Sequence, residues 1–173
     1  MPRFVALLRA INTPPRHVKM DRLRTIVEDA GFENVATYIA SGNVIFDAPT
    51  AQGVQEVLEG ALAENLDFDV PVFLRTSREI VTVADLRLFG GQEDNLEISF
   101  LPRAPDPNAV ERLMEATSGN DRLAVVDREV YWSHVGPRSE SNHSEARVMR
   151  TLEMQTTRRS ANTVRKIADR YFR

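Results

Sequence analysis

The chain has 173 residues, of which 42% are hydrophobic, and its 22 lysines and arginines stand against 25 acidic residues for a net charge of −3. The complete lack of cysteine excludes disulfides, cysteine nucleophiles, cysteine-ligated zinc and iron–sulfur clusters. No apolar run approaches the roughly 18 residues of a membrane span, so we expect a globular cytoplasmic protein of bacterial type that does not associate with membranes.

The first 75 residues predict the element order β-α-β-β-α-β. Apolar runs, helical periodicity and turn residues define the segments. In chain order they are a strand at 4–8, a proline-containing loop at 12–17, a helix from Met20 that stops at Gly31, strands at 35–40 and 43–47 joined by Ser41-Gly42, a helix at 54–62 and a strand at 70–74. This order is that of a ferredoxin-like unit.

The remaining residues repeat much of this order. Thr76 and Glu79 are spaced as a capping box for a helix that should end at Gly90-Gly91, and residues 91–95 are the best candidate for a linker. There follow a strand at 96–100, a helix capped by Asp106 with Pro107 at its first position, a hairpin of strands at 123–126 and 130–134, and amphipathic helices near 142–153 and 160–172.

We therefore predict an α+β fold of two ferredoxin-like (βαββα) halves packed into one compact unit. Residues 1–76 form the first half, 77–94 a helix and linker, and 95–173 the second half with its C-terminal helices.

Apolar residues of the predicted strands and helices should form the core: Leu7, Leu23, Ile26, Val44, Phe46, Phe73, Phe100 and Val125. The helix that starts at Pro107 should direct three more apolar residues inward, namely Val110, Leu113 and Met114. Tyr131 and Trp132 are neighbours in a predicted strand, so their side chains should point to opposite faces of the sheet. We expect one of the two to be buried and the other at least partly exposed.

The charges are unevenly distributed along the chain. Residues 1–24 hold six basic residues and one acidic residue, and residues 138–173 hold nine basic and four acidic residues. Residues 25–137 hold seven basic and 20 acidic residues. The negative total argues against a nucleic-acid partner, and Phe46 is the only aromatic residue in the strand that would have to stack RNA bases. The basic ends leave room for a local anion site, because they are rich in arginine.

None of the familiar motifs for phosphate loops, dinucleotide binding, serine hydrolases or zinc proteases occurs. The three histidines, His17, His134 and His143, are not spaced as a metal site on one helix. His143 and Glu145 could join a metal site or an acid–base pair in the folded chain. The simpler interpretation, which we favour, places the histidines in solvent-facing loops and at a helix start. We expect no metal and no cofactor.

Three polar segments are better candidates for a binding site. Residues 9–12 follow the first strand, residues 41–43 form a hairpin tip, and residues 156–163 are a loop before the last helix, whose N-terminal N–H groups can bind an anion. Each segment also has a purely structural interpretation. Arg9 could form an ion pair with an acidic residue, and Gly42 could serve a tight turn. Thr157, Ser160 and Asn162 could each cap a helix.

Several segments resemble domain-of-unknown-function family 1697. They are 7–12 (LLRAIN), 18–20 (VKM), 37–46 (TYIASGNVIF), 156–158 (TTR) and 162–164 (NTV). The resemblance implies a bacterial protein with an α+β fold of ferredoxin-like halves, and it implies no activity. The chain departs from the family pattern at Pro14-Pro15, where glycines are usual, at Ala40, where glutamine is usual, and at Ser160-Ala161, near where an aromatic residue is usual.

The leading functional hypothesis is a module that binds a small molecule or anion. The candidate ligand-binding residues are Arg9, Asn12, Lys19, Ser41, Asn43, Thr157, Arg158 and Asn162. We expect most of them to line one polar cleft, with Arg158 within roughly 20 Å of Arg9, about two Debye lengths. One alternative is an enzyme of unknown reaction in which Arg9, Lys19 or Arg158 stabilises developing negative charge. Another is a protein–protein adaptor, and the oligomeric state is open.

Overall fold

The structure, a computed structural model, describes residues 1–90 and 95–173. These residues form two compact units: the first comprises Met1–Val83 with Ile167–Arg173, and the second comprises Ala84–Lys166. Apart from Asn95, the linker predicted at 91–95 lies outside the described residues.

The first unit contains a four-stranded antiparallel sheet. Its elements are β1 (Arg3–Leu8), α1 (Met20–Asp29), β2 (Glu33–Tyr38), β3 (Asn43–Asp47), α2 (Val54–Asn65) and β4 (Val72–Thr76), followed by α3 (Ser77–Asp85). The strand order is β2-β3-β1-β4, so β1 is a central strand that pairs with both β3 and β4. The predicted β-α-β-β-α-β order is confirmed.

The second unit contains another four-stranded antiparallel sheet with the same topology. Its elements are β5 (Glu97–Phe100), α4 (Pro107–Glu115), β6 (Asp121–Val126), β7 (Glu129–His134), a 3₁₀ turn (Arg138–Glu140), α5 (Glu145–Leu152) and β8 (Thr157–Ser160). The last helix, α6 (Ala161–Tyr171), begins in this unit, and its residues from Ile167 onward belong to the first unit. The strand order β6-β7-β5-β8 repeats that of the first sheet, with β5 in the place of β1. The prediction of an α+β fold with two ferredoxin-like halves is therefore confirmed.

The prediction of a loop at 156–163 is wrong, because residues 157–160 form strand β8 and Ala161 already begins α6. Each β8 residue pairs with β5, and Thr157 lies opposite Phe100. The sequence Thr-Arg-Arg-Ser has no apolar alternation, so its strand character comes from pairing with a distant segment. The hydroxyl of Ser160 accepts from the Thr163 N–H at 3.2 Å, which confirms it as a helix cap.

Local signals define the helix termini well. Asp106 caps α4 by accepting the N–H groups of Asn108 and Ala109 at 2.8 and 3.2 Å. The predicted capping box is also confirmed: Glu79 accepts from the Thr76 N–H at 2.8 Å, and the Thr76 hydroxyl accepts from the Glu79 N–H at 3.2 Å. However, α3 ends at Asp85, earlier than predicted. No helix in the described part of the chain has both the length and the apolar character needed to cross a membrane.

The predicted core is largely correct. Seven of its eight residues are buried, and Val125 is partly buried against the apolar cluster of the second unit. Two expectations are wrong. Met114 is 41% exposed and Val110 is partly buried, so of the three residues predicted to point inward Leu113 alone is buried. Tyr131 and Trp132 are both buried, because all six residues of β7 are buried and both of its faces are covered.

Candidate functional site

A buried acid–imidazole pair lies where β6 begins and β7 ends. Asp121 and His134 are directly opposite each other in the register of these strands, so their side chains project from the same face of the sheet. The Nδ1 atom of His134 lies 2.8 Å from Oδ1 of Asp121, and both side chains are only 2% exposed. We call Asp121, Trp132, His134, Ser141 and His143 the histidine site.

The carboxylate of Asp121 accepts hydrogen bonds from four groups. In addition to His134, its Oδ1 accepts from the Trp132 indole at 2.9 Å and the Ser141 hydroxyl at 2.6 Å, and its Oδ2 accepts from the Asn142 N–H at 3.0 Å. Burial by itself would raise the pKa of this carboxyl, but the hydrogen bonds outweigh that effect and lower the pKa from 3.8 to about 2. Asp121 is therefore ionised at neutral pH.

This ionised carboxylate determines where the hydrogen of the His134 ring must lie. A carboxylate only accepts hydrogen bonds, so the bond between Asp121 and His134 requires a hydrogen on Nδ1. In the neutral ring, Nε2 then carries a lone pair and can act as a hydrogen-bond acceptor or a base. Nε2 is buried and has no hydrogen-bond partner among the described residues.

The backbone after β7 passes close to this nitrogen. At Gly136, where φ is +104°, an added Cβ would lie 4.0 Å from Nε2 of His134 and 3.8 Å from a carboxylate oxygen of Glu140. A carboxylate oxygen, which is a hydrogen-bond acceptor, therefore borders the same glycine as Nε2 of His134.

His143 is the second imidazole of the site. Its ring stacks on Trp132, with the ring centroids 4.8 Å apart and the planes 21° from parallel. Burial lowers the pKa of His143 from 6.5 to about 4; nearby Asp121 opposes this shift, whereas Arg158 and Arg147 reinforce it. The ring is neutral at pH 7, and its buried Nε2 also has no partner among the described residues.

The register of the sheet places Arg158 on the same face as the histidine site. Ser99 of β5 lies opposite Val130 on one side and Arg158 on the other. Val130 shares its face of β7 with His134, because side chains alternate along a strand. The Arg158 side chain is exposed, and its guanidinium makes no hydrogen bond or ion pair within the described parts of the chain.

The acidic residues of this face have partners of their own. Glu145, at the start of α5, accepts from the Ser99 hydroxyl at 2.7 Å and from the Thr156 hydroxyl. Glu97 pairs with Arg138 at 2.6 Å, and the Arg138 guanidinium lies 5.6 Å from the centroid of the Trp132 ring. Neither acid is therefore left to pair with Arg158.

In the first unit, the structure brings Asn12, Ser41 and Asn43 together. The Asn12 amide donates to the Ala40 carbonyl at 2.7 Å, and its oxygen accepts from the Val18 N–H at 2.6 Å. The Asn43 amide donates to the Tyr38 carbonyl at 2.7 Å and to the Ser41 hydroxyl at 3.0 Å. These amides hold neighbouring loops in place.

The other predicted ligand residues occupy varied surroundings. In the first unit, Arg9 is half-buried, and Lys19 is exposed just before α1. In the second unit, the buried Thr157 accepts from a guanidinium nitrogen of Arg159 at 2.8 Å, and Asn162 is exposed in the first turn of α6. The cleft expected to join the two sets stays a prediction.

The favoured interpretation of the histidines is correct for His17 alone, which is exposed. It is wrong for His134, which is 4% exposed, and for His143, which is stacked and largely buried. The sequence did not indicate Asp121 or Trp132 as residues of a site. The hairpin predicted from strands at 123–126 and 130–134 has a three-residue turn, which would put Asp121 opposite Val135. The observed turn has two residues, 127–128, and puts Asp121 opposite His134.

Metal binding has no support in the geometry. Within residues 1–90 and 95–173, no group of three or more histidine, aspartate or glutamate side chains is placed to hold an ion.

Comparisons with known proteins identify the family and the fold. A family model described as "Protein of unknown function (DUF1697)" matches residues 1–131. Among solved structures, the chain is similar to the conserved bacterial protein SP0830 from Streptococcus pneumoniae, with a TM-score of 0.81, 22% identity, and coverage of 98% of this chain and 97% of that one. No curated protein matches. Because the family model covers more than half of the chain, the protein belongs to the DUF1697 family of proteins of unknown function.

Proposed function

We propose that the second unit binds a small polar molecule at the histidine site. One observation carries this proposal: Nε2 of His134 is buried and has no partner among the described residues, while Nδ1 of the same ring is committed to Asp121. Leaving a buried polar atom unsatisfied costs about 1–3 kcal/mol. A ligand that donates a hydrogen bond to this nitrogen would recover that free energy on binding.

The position of Arg158 supports an anionic ligand, as expected from the sequence. The predicted roles of Arg9 and Lys19 as ligand-binding residues stay predictions. The nearby side chains of Asn12 and Asn43 already bind neighbouring backbone groups. The cytoplasmic location, the absence of a nucleic-acid partner and the adaptor alternative also stay predictions.

Histidine ¹⁵N chemical shifts test the binding proposal directly. The protein is labelled with ¹⁵N-histidine and titrated with a library of small polar compounds, and the ring nitrogens of all three histidines are followed. We expect at least one compound to shift Nε2 of His134 or His143 and to leave exposed His17 unchanged. If no compound moves these nitrogens selectively, the proposal is wrong.

A matched pair of variants identifies the nitrogen that is responsible. In His134→Asn, the new amide can still donate to Asp121 in place of Nδ1, but the acceptor at Nε2 is lost. We expect this variant to fold and to bind the active compound at least tenfold more weakly. His17→Asn is the control and should bind as the unmodified protein does. Unchanged binding by His134→Asn would contradict the proposal.

Catalysis is the second candidate function, and the Asp121–His134 pair favours it. An imidazole that donates from Nδ1 to a buried carboxylate and presents Nε2 is arranged as a general base. Any compound that binds should therefore be incubated with the protein at stoichiometric concentration and analysed by mass spectrometry. Turnover that is lost in His134→Asn would support this role, and an unchanged compound would exclude it for that ligand.

A further inference from the structure

We infer that the ligand of the histidine site is a small anion that carries a hydroxyl group, with the hydroxyl bound at His134 and the negative charge held by Arg158. This inference rests on the proposed function and adds the chemical class of the ligand to it.

Acceptor groups surround the end of the site at His134. Because the Nδ1 hydrogen of His134 is committed to Asp121, the uncharged form of this ring presents a lone pair on Nε2. The carboxylate of Glu140 borders the same residue, Gly136, as this nitrogen does. Two acceptors beside the same glycine suit a ligand with a donor group, and a hydroxyl group can donate to one of them and remain neutral.

The cationic end of the site is at Arg158. Its register opposite Ser99 places this side chain on the face that carries Trp132 and His134. Arg158 makes no ion pair within the described residues, whereas Glu97 and Glu145 on the same face already have partners. An exposed guanidinium without an acid beside it is suited to bind a carboxylate or phosphate in a bidentate manner.

His143 is influenced by charged groups at both ends of the site. The charges of Asp121, Arg158 and Arg147 all act on its ring. Arg147 is also held locally, since its guanidinium donates to the Ala116 carbonyl at 3.3 Å. Two cations on this side disfavour a cationic ligand, and a neutral ligand would leave Arg158 without a counter-charge.

Three four-carbon compounds separate the two parts of the inference. 4-Hydroxybutanoate carries a hydroxyl and a charge, butanoate carries only the charge, and 1,4-butanediol carries only hydroxyls. Each is titrated into ¹⁵N-histidine-labelled protein at low and moderate salt, with the His134 and His143 ring nitrogens as the readout. We expect 4-hydroxybutanoate to bind at least about tenfold more tightly than either of the others. We also expect its affinity to fall with salt, because the charged contact is exposed.

Arg158→Gln tests the charged contact. It removes the charge from the predicted anion contact, and Arg103→Gln is the control, because Arg103 is an exposed arginine in the loop before α4. We expect Arg158→Gln to weaken 4-hydroxybutanoate binding about tenfold, to leave 1,4-butanediol unchanged and to remove the salt dependence. Arg103→Gln should bind all three compounds as the unmodified protein does.

The possible outcomes distinguish the two proposals. Equal binding of the hydroxy acid and the diol, or no effect of Arg158→Gln, would overturn the anionic class and leave the binding site itself standing. Equal binding of butanoate and 4-hydroxybutanoate would overturn the hydroxyl contact. If none of the three compounds shifts a ring nitrogen, while another compound of the library does, the inferred class is wrong. If no compound of the whole library shifts a ring nitrogen of His134 or His143, the proposed function is wrong as well.

Discussion

Asp121 shows how one residue can organise a polar cluster inside an apolar sheet. Its side chain is 2% exposed, and its carboxylate is stabilised by the groups that donate to it, from β7 and from residues 141–142. A buried carboxylate is tolerated here because four hydrogen-bond donors replace the water it would otherwise bind. Removing its charge therefore affects Trp132, His134 and Ser141 together.

We predict that Asp121→Asn lowers the free energy of unfolding by about 2–4 kcal/mol. The amide nitrogen of asparagine cannot accept the hydrogen bonds that the carboxylate accepts, so buried donors lose their partner. Urea denaturation measures the change, and the m-value should stay constant if the denatured state is unaffected.

Asp127→Asn is the matched control for this substitution. Asp127 is exposed in the turn between β6 and β7 and has φ of +51°, a conformation that asparagine also tolerates. We expect a change within about 0.5 kcal/mol. If both variants lose the same free energy of unfolding, the hydrogen bonds to Asp121 do not stabilise the folded protein.

At the scale of elements, the loop after β1 and the β2–β3 connection form one structure in the first unit. The Leu8 N–H donates to the Gly42 carbonyl at 2.8 Å, and a Cβ on Gly42 would come within 2.6 Å of the Ile11 side chain. Because φ at Gly42 is +85°, only glycine fits here without strain. The structural interpretation of this tip as a tight turn is thus supported.

Asn12 joins these two connections through its side chain. We predict that Asn12→Ala destabilises the protein by about 1–3 kcal/mol, because the Val18 N–H and the Ala40 carbonyl lose their partner. Urea denaturation gives the global effect, and amide hydrogen exchange at Val18 should accelerate more than exchange in the second unit.

Asn108→Ala provides the comparison for this loop variant. Asn108 is exposed near the start of α4, and its backbone N–H, rather than its side chain, makes the capping bond to Asp106. Its removal should change stability by no more than about 0.5 kcal/mol. A stable Asn12→Ala with normal exchange at Val18 would mean that the loops are held by their backbone alone.

For the whole molecule, His143 links stability to pH. Its pKa is about 4 in the folded protein, below its ordinary value of 6.5, so the unfolded chain binds a proton that the folded chain does not. The stability from this group is complete above pH 6.5 and is lost as the pH falls from 6.5 towards 4. Because the ring is partly exposed, we expect a loss of only about 1–2 kcal/mol after solvent screening.

His143→Phe isolates this contribution, because phenylalanine can keep the stacking on Trp132 but cannot titrate. We predict that unfolding free energies measured from pH 7 to 4.5 fall less steeply in this variant than in the unmodified protein. Asp121 does not contribute in this window, since its stabilisation is lost only between its ordinary value of 3.8 and about 2. His17→Phe should keep the original slope. Parallel profiles for the unmodified protein and His143→Phe would contradict the predicted link.

The sequence by itself determined the elements whose causes are local. Helix caps, helix stops and apolar periodicity act within a few residues, so they can be recognised in the sequence alone. Examples are the caps at Asp106 and Thr76 and the helix stop at Gly31. The strand order followed from the repeated element order, since a β-α-β-β-α-β chain closes into this sheet by short antiparallel connections.

Tertiary structure decided which residues became strands by pairing and which polar groups became buried. β8 is a strand because its residues pair with β5, more than fifty residues earlier in the chain. The local sequence Thr-Arg-Arg-Ser does not predict that pairing. In the sequence, His134 and His143 look like ordinary polar residues. In the folded protein His134 is buried against Asp121, and the ring of His143 stacks on Trp132. The pKa and hydrogen-bonding capacity of a side chain depend on neighbours brought together by long-range packing, and these neighbours create the candidate site.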